Sequence, residues 1–411
     1  MLELVDIRRG AYYDSVTLMQ VSKRIAATPG ITAAQVAMGT ELNLEVLAGM
    51  GFTLPDGIGV NDVVVALQGD SAEAIEAGAA AVDAALAELK ANSRKPSGFG
   101  SAPEPVTLGG AIAAGEANLA LISVPGDHAT AEAMDAIDAG VSVMLFSDNV
   151  AVEDEVALKD AAAARGVLVM GPDCGTAVVS GVALGFANVV APGSVGIVAA
   201  SGTGAQQVMC LLDAAGVGVS HVLGVGGRDL KTEVAGRSTR QALAMLAADE
   251  ATDSIIVVSK PPAAEVLADL EEYAATLGLP VHWAILGAGR PDLTTSTSAA
   301  LGPSGSAAPQ WLSWGKSPEG VGAGSLRGLF CGGTLADEAM LIAGEALGPI
   351  RSNIPLSPEM ALGSDLGAHG GHVVIDFGDD GLTRGRAHPM IDPSLRQERI
   401  LAEGADPSCG V

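Results

Sequence analysis

Residues 193–210 read GSVGIVAASGTGAQQVMC. Val195 to Ala200 is a short apolar run, the mark of a parallel strand buried on both faces. Ser201-Gly202-Thr203-Gly204 is a turn of small residues. From Ala205 the pattern AQQVMCLLDAAG is helical, and Gly216 closes it. The order strand, small-residue turn, helix start makes an anion site. The first N–H groups of a helix have no internal partner, and the helix dipole favours negative charge there. Glycine lets a ligand approach the backbone, and the hydroxyls of Ser201 and Thr203 add donors. The same pattern also describes an ordinary strand–helix turn with Ser or Thr as its cap.

Strands and helices alternate on both sides of this stretch. Before it, residues 1–92 read as a small α/β domain. Strands at Leu2–Ile7, Ile31–Met38 and Asp62–Leu67 are each followed by a helix, the last running from Asp70-Ser71 to about Ala91. A ferredoxin-like sheet and a small doubly wound sheet are equally allowed. Ala91 to Pro105, ANSRKPSGFGSAPEP, is a linker by composition. Residues 106–190 read as a Rossmann-like unit, with strands at Leu119–Val124, Val141–Phe146 and Val167–Met170. Its strands end in polar or glycine loops, the last containing Asp173, Cys174, Gly175 and Thr176. Open α/β sheets bind ligands at such carboxyl ends.

The quoted stretch opens a third unit, residues 191–290, a flavodoxin-like doubly wound sheet. Its next strands, Val222–Val225 and Ile255–Ser259, end in Gly226-Gly227-Arg228 and in Lys260. A planar Arg can clamp a phosphate or carboxylate with two parallel bonds, and Lys260 adds a cation. Gly287 to Gly324 is rich in small residues and reads as a mobile linker or lid. The final segment, 325–411, repeats the small-residue turn as Cys331-Gly332-Gly333-Thr334 before LADEAMLIAGEALG, a second candidate anion site. After a strand at Val373–Phe377, Arg386 and His388 stand in a Pro-bounded loop. His388 suits either a hydrogen-bonded structural role or acid/base work.

The net charge of −26 argues against nucleic acid or an anionic membrane surface as partner. A local cluster of N–H groups and cations still accommodates an anionic substrate. The four cysteines, Cys174, Cys210, Cys331 and Cys409, show neither metal nor disulfide spacing, so no metal is expected. That spacing, with no signal-peptide pattern and no long apolar run, fits a cytoplasmic protein.

Four stretches resemble the α-subunit of succinyl-CoA synthetase, in the same order over roughly residues 106 to 290. They are LALISVPGDHATAEAMDAIDAGV, VLVMGPDCGT, GSVGIVAASGTGAQQV and LGVGGRDLKTEVAGRSTRQALAMLAADE. The resemblance to the FdrA family is fuller. It includes YYDSVTLMQVSKRI, MLFSDNVAVEDEVALKDAAAARG, FCGGTLADEA and DFGDDGLTRGRAHPMIDPSLR, and so covers nearly the whole chain. It implies a CoA-binding-type Rossmann domain followed by a ligase domain. In the synthetases the turn matching Ser201 to Thr203 holds a phosphoryl group, a role carried onto Ser201, Gly202, Thr203 and Gly204.

This chain departs from those patterns in three ways. The synthetases phosphorylate a His after the last ligase-domain strand, where this chain reads LGAGRPDLTTSTSAALG with no His. Their glycine-rich CoA fingerprint is not evident. Long FdrA-like chains carry another ligase-like domain beyond HPMIDP, so this chain resembles a short form ending at Val411.

The resemblance implies a subunit of an oxamate carbamoyltransferase-like complex, working with other protein subunits as an oligomer in purine- or allantoin-type nitrogen catabolism. That reaction interconverts an oxalurate-like ureido acid plus phosphate with carbamoyl phosphate plus an oxamate-like product, and requires no cofactor. Ser201 to Gly204, Gly226, Gly227, Arg228 and Lys260 would hold phosphate. Asp173 to Thr176 and Gly332 to Thr334 would hold the carbonyl or carboxylate, and Arg386 and His388 would act on the ureido acid. Two alternatives remain. One is an acyl-CoA synthetase α-like subunit using CoA and a nucleotide. The other is a non-catalytic scaffold of the complex.

Overall fold

The computed structural model describes residues 2–10, 13, 15–55, 57–59, 61–92, 105–115, 117–301, 324–363, 366, 370–383, 388–406 and 408–410. The chain forms two compact units, Met1–Pro103 and Glu104–Val411.

In the first unit, strands β1 (Leu2–Arg8), β2 (Ile31–Met38) and β3 (Val63–Gly69) alternate with helices α1 (Ser15–Ala26), α2 (Glu41–Gly49) and α3 (Ala72–Asn92). The sheet is antiparallel throughout, in the order β1–β3–β2. This removes the doubly wound option. The central strand reads VVVALQG because both its faces are covered. Val63, Val65 and Leu67 pack with Leu18, Ile25 and Val82 of α1 and α3. Val64 and Ala66 pack with Leu47 and Phe52 on the other face.

The second unit holds three sheets. The first is parallel: β4 (Leu119–Ile122), β5 (Ser142–Leu145) and β6 (Val169–Met170), with α4 (Leu108–Ala114), α5 (Gly126–Asp138) and α6 (Val152–Arg165). Thr107 caps α4 by accepting from the Gly110 N–H at 3.1 Å.

The second sheet begins with a hairpin, β7 (Thr176–Val179) and β8 (Val182–Gly185). Then come β9 (Pro192–Ala200), α7 (Gly202–Ala214), β10 (Val219–Gly224) and α8 (Arg237–Ala247). The rest is β11 (Ser254–Ser259), α9 (Ala264–Ala274), β12 (Val281–Ile285) and α10 (Leu293–Leu301). The strand order is β12–β11–β9–β10–β7–β8. The four parallel strands put β9 near the middle, buried on both faces, and the hairpin joins β10 antiparallel through Val222 and Val178. The sequence assigned residues 176–185 to the preceding unit. They instead cover a sheet edge that would otherwise carry unpaired N–H and C=O groups.

The third sheet, parallel in the order β13–β15–β14, contains β13 (Arg327–Phe330), β14 (Ile350–Ser352) and β15 (His372–Asp376). Helix α11 (Gly333–Leu347) follows β13. Helices α12 (Asp380–Thr383) and α13 (Ser394–Gly404) follow β15. The sequence reading did not anticipate β14 or α13. Helix α13 lacks a broad apolar face and docks through charge, with Arg327 Nε 2.9 Å from Glu403.

The expected linker or lid at 287–324 is corrected in its first part. Asp292 accepts from the Thr295 N–H at 2.6 Å, and Leu293 and Leu301 join the core beside α7. Residues 302–323 of that stretch, and most of the expected 91–105 linker, lie outside the described residues.

Two features bind the second unit internally. At Gly193 a Cβ would collide with the Val217 carbonyl oxygen and lie 2.6 Å from the Gly218 carbonyl carbon. Neither is the end of a flexible side chain. Gly193→Ala is therefore expected to cost about 1–3 kcal/mol as overpacking. This would be read as a lower urea midpoint with an unchanged slope.

The second feature is a buried charge network. Lys159 of α6 donates to Glu155 at 2.7 Å, to Asp229 at 2.7 Å and to the Val225 carbonyl at 2.9 Å. Asp229 also accepts from Ser238 N–H and from Thr239 N–H and Oγ1.

Candidate functional site

The carboxyl ends of all three sheets of the second unit open onto one cavity of about 600 Å³. That volume suits a small-molecule site. Its floor is built from two helix starts. Ser201 caps α7, accepting from the Gly204 N–H at 2.9 Å. Gly332 caps α11 with no side-chain bond. The Ser201 and Thr334 hydroxyls are in hydrogen-bond contact, so the two helix N-termini abut. Glycine permits this: a Cβ on Gly332 would meet Thr203, lying 2.6 Å from its Oγ1. Both helices thus bring unpaired N–H groups and positive dipole ends to one place.

Lys260, at the end of β11, lies alongside. Its Nζ is 3.0 Å from where a Gly333 Cβ would be, and the Asp376 Oδ2 is 3.2 Å from the same point. Asp376 accepts the Gly378 N–H at 2.9 Å. Burial raises the Asp376 carboxyl above its usual range, against the Gly378 bond and the Lys260 charge. Asp337, on α11, is pushed up to about 6. Burial is the main cause, with Asp376 adding to it and Lys260 and Lys231 opposing.

His388 stands beside the same turn: its Nε2 is 3.2 Å, and the Asp376 Oδ1 3.3 Å, from where a Gly378 Cβ would be. Its Nδ1 accepts the Met390 N–H at 3.2 Å, which assigns the proton of the neutral ring to Nε2. Burial lowers its affinity for a second proton, opposed by the Asp148 charge. Its ring lies 5.9 Å from Phe186, which in turn lies 5.3 Å from Phe146.

Most of the residues singled out from sequence meet at this cavity. Ser201, Gly202, Thr203, Gly226, Gly227, Arg228 and Lys260 line it. So do Asp173, Cys174, Gly175, Thr176, Gly332, Gly333, Thr334 and His388. Three expectations change. Gly204 is buried and is not in the lining, and its N–H is taken by Ser201. The Cys174 thiol is packed in the core and pushed up to about 12 by burial, so it faces the cavity as a neutral thiol. Arg228 is not an open clamp: its Nε bonds Glu155 at 3.0 Å and its Nη2 the Val150 carbonyl at 2.9 Å. Arg386 lies outside the described residues.

The sequence reading missed Gln206, which donates to Thr176 Oγ1 at 3.0 Å and to the Phe186 carbonyl at 3.2 Å. It also missed Asp337 and Asp376. Asp376 carried a signal, a lone carboxylate closing an apolar strand. Asp337 carried none, since an acid early in a helix reads as a solvated one.

Comparison with known proteins places these segments in context. A family model described as "AllF, heavy metal-associated domain" matches residues 1–102, and one described as "CoA-ligase" matches residues 329–411, including the HPMIDP motif. Residues 1–102 contain neither Cys nor His, so they offer a metal ion no thiolate or imidazole. Among the described residues no cluster of three or more His, Cys, Asp or Glu could hold one. No helix among them is long and apolar enough to cross a membrane.

The succinate–CoA ligase [ADP-forming] subunit alpha 2 of Archaeoglobus fulgidus is 30% identical over 154 residues, covering 36% of this chain and 52% of that one. The chain thus spans about half the length of that relative. Among solved structures, the dinucleotide-forming acetyl-coenzyme A synthetase 1 of Ca. Korarchaeum cryptofilum is 20% identical. It covers 51% of each chain at a TM-score of 0.34.

The Escherichia coli K12 protein YahF, itself uncharacterized, is 38% identical over 430 residues, spanning 98% of this chain and 82% of YahF. The chain therefore belongs to the YahF-like family, with an AllF-type N-terminal domain and a CoA-ligase-type, succinyl-CoA synthetase α-like remainder.

Proposed function

We propose that the cavity holds an acyl phosphate, and that the protein is the acyl-phosphate-handling subunit of a group-transfer complex. The observation that carries this reading is the meeting of two helix N-termini, through Ser201 and Thr334, beside Lys260. Among the described residues the Lys260 ammonium makes no ion pair or hydrogen bond. Two positive dipole ends and a lysine suit a phosphoryl dianion. Gly202, Thr203, Gly333 and Thr334 would donate backbone N–H groups to it, with Gly226 and Gly227 forming the facing wall. Asp173, Gly175 and Thr176 would line the acyl end.

Two acyl acceptors are compatible with this subsite. Thiol ligation is supported by the CoA-ligase match and by relatives named as succinate–CoA ligase α subunits. A thiolate attacks the acyl carbon, the C–O bond to the phosphoryl group breaks, and phosphate leaves with the electron pair. The lining argues against CoA in this cavity. The loops that end β4 and β5, and the loop after β6, present Asp148 and Asp173, carboxylates where a diphosphate needs cations.

Carbamoyl transfer, as in the FdrA-like proteins, is supported by those same carboxylates, which accept N–H groups. It is supported too by the absence of His from residues 286–302. Phosphate oxygen attacks the ureido carbonyl and the C–N bond breaks. The departing nitrogen takes the proton of the attacking hydrogen phosphate, and the His388 Nε2–H can steady the leaving group as a hydrogen-bond donor.

The test uses the protein with its native partner subunits. One arm supplies oxalurate and phosphate, and reads carbamoyl phosphate as ATP through carbamate kinase and ADP. The other supplies succinate, ATP and CoA, and reads thiol loss. Turnover in one arm is expected to fall at least about tenfold in the Ser201→Ala, Thr334→Ala double variant, since oriented donors contribute that much or more. Silence of the assembled complex in both arms counts against acyl-phosphate chemistry.

A further inference from the structure

Two buried carboxylates, Asp337 and Asp376, lie close to the paired helix starts, and the chemistry above does not use them. Asp337 sits on α11 three residues past Thr334 and is 7% exposed. The charged groups facing it come from the surrounding elements: Lys260 from the end of β11, Asp376 from the end of β15, and Lys231 from the loop after β10. Its neighbour Glu338 is engaged elsewhere, accepting the Leu293 N–H of α10 at 2.7 Å.

An anion entering at the helix starts is attracted by Lys260 and both dipoles. The same anion is repelled by the Asp337 and Asp376 carboxylates. The Gly378 and Gly332 N–H groups favour the charged form of Asp376. Among the described residues Asp337 accepts no backbone bond of this kind, so its charge is the one most easily removed. We propose that Asp337 sets how tightly this subsite holds its anion, and that it takes up a proton as the anion enters. The proposal rests on the phosphate reading above.

The direction follows from linkage. A bound dianion disfavours ionised Asp337, so the bound state holds more protons than the free state between the two pKa values. Burial already places the free carboxyl at about 6. Affinity is therefore full below about 6 and falls as pH rises, by up to about tenfold per pH unit. The fall ends above the bound-state value.

The experiment is calorimetric titration of the full chain with sulfate, from about pH 5 to about pH 8, in two buffers of different ionisation enthalpy. Sulfate keeps its charge across this range, whereas phosphate, used as a second probe, does not. Weakening of sulfate binding by at least about tenfold, with proton uptake counted from the two buffers, is the expected result. Asp337→Asn should flatten the profile and bind about tenfold more tightly than wild type at the upper pH. Lys260→Met should weaken binding at every pH.

Sulfate binding that is present but independent of pH in the wild type overturns the proposal, whatever the variants do. So does a slope kept by Asp337→Asn and lost by His388→Asn, because that assigns the proton to the imidazole. If neither sulfate nor phosphate binds at any pH, the phosphate reading fails and this proposal fails with it.

Discussion

Lys159→Met is expected to lower the stability of the Glu104–Val411 unit by about 3–5 kcal/mol, the range for removing one partner from a buried ion pair. The Lys159 side chain is 1% exposed, and Glu155 and Asp229 are fully covered. Methionine keeps the apolar stem but leaves both carboxylates facing a low-dielectric interior. Arg228, 2.9 Å from Glu155, offsets only one of them. The loss should appear as a lower urea midpoint. The triple variant Glu155→Gln, Lys159→Met, Asp229→Asn should be less destabilised than the sum of its single changes, because the groups form one network. A loss below about 1 kcal/mol for Lys159→Met would mean that water reaches the cluster, as it does in exposed pairs.

Gly332→Ala is expected to cost about a hundredfold in turnover, the scale for displacing a positioned group by about an ångström. The new methyl must share space with Thr203, so the starts of α7 and α11 have to separate. The φ of Gly332 is −177°, extended backbone open to any residue, so the effect comes from collision and not from strain. Phosphate affinity, measured by calorimetry, should fall with turnover, because both depend on the joint N–H array. Adding Thr203→Gly removes the obstacle and should restore much of the binding. Wild-type affinity in Gly332→Ala alone would show that the two helix starts do not act together. The substitution lies at a cap with an open cavity beside it, so its effect on stability should be smaller than its effect on binding.

Much of this arrangement was legible residue by residue. The run Val195–Ala200 was readable as a buried strand because the pattern is continuous, and the strand runs Pro192–Ala200. Ser201 was readable as a cap because a cap acts within three residues, and it accepts the Gly204 N–H. Loops at strand ends were readable as site-bearing because parallel strands connected by helices deliver their carboxyl ends to one edge. Local patterning did not warn of Lys159. VEDEVALKDAAAAR reads as a solvated helix rich in charge, and burial of its Lys depends on a carboxylate 70 residues away. Arg228 looked like an open clamp for the same reason, since its partner Glu155 is 73 residues earlier.

The amino-acid sequence by itself determined where strands start helices, which turns expose N–H groups, and that neither Cys nor His stands in the first 102 residues. These follow from interactions spanning a few residues, whose energies do not depend on the rest of the fold. Only the tertiary structure decided that Ser201 meets Thr334 across 133 residues of chain. It also decided that Lys260, unpaired among the described residues, stands beside them, and that Asp337 is buried on the helix that starts there. Such pairings depend on how three sheets pack. Burial then changes the energy of each charge, by removing water that no local pattern records.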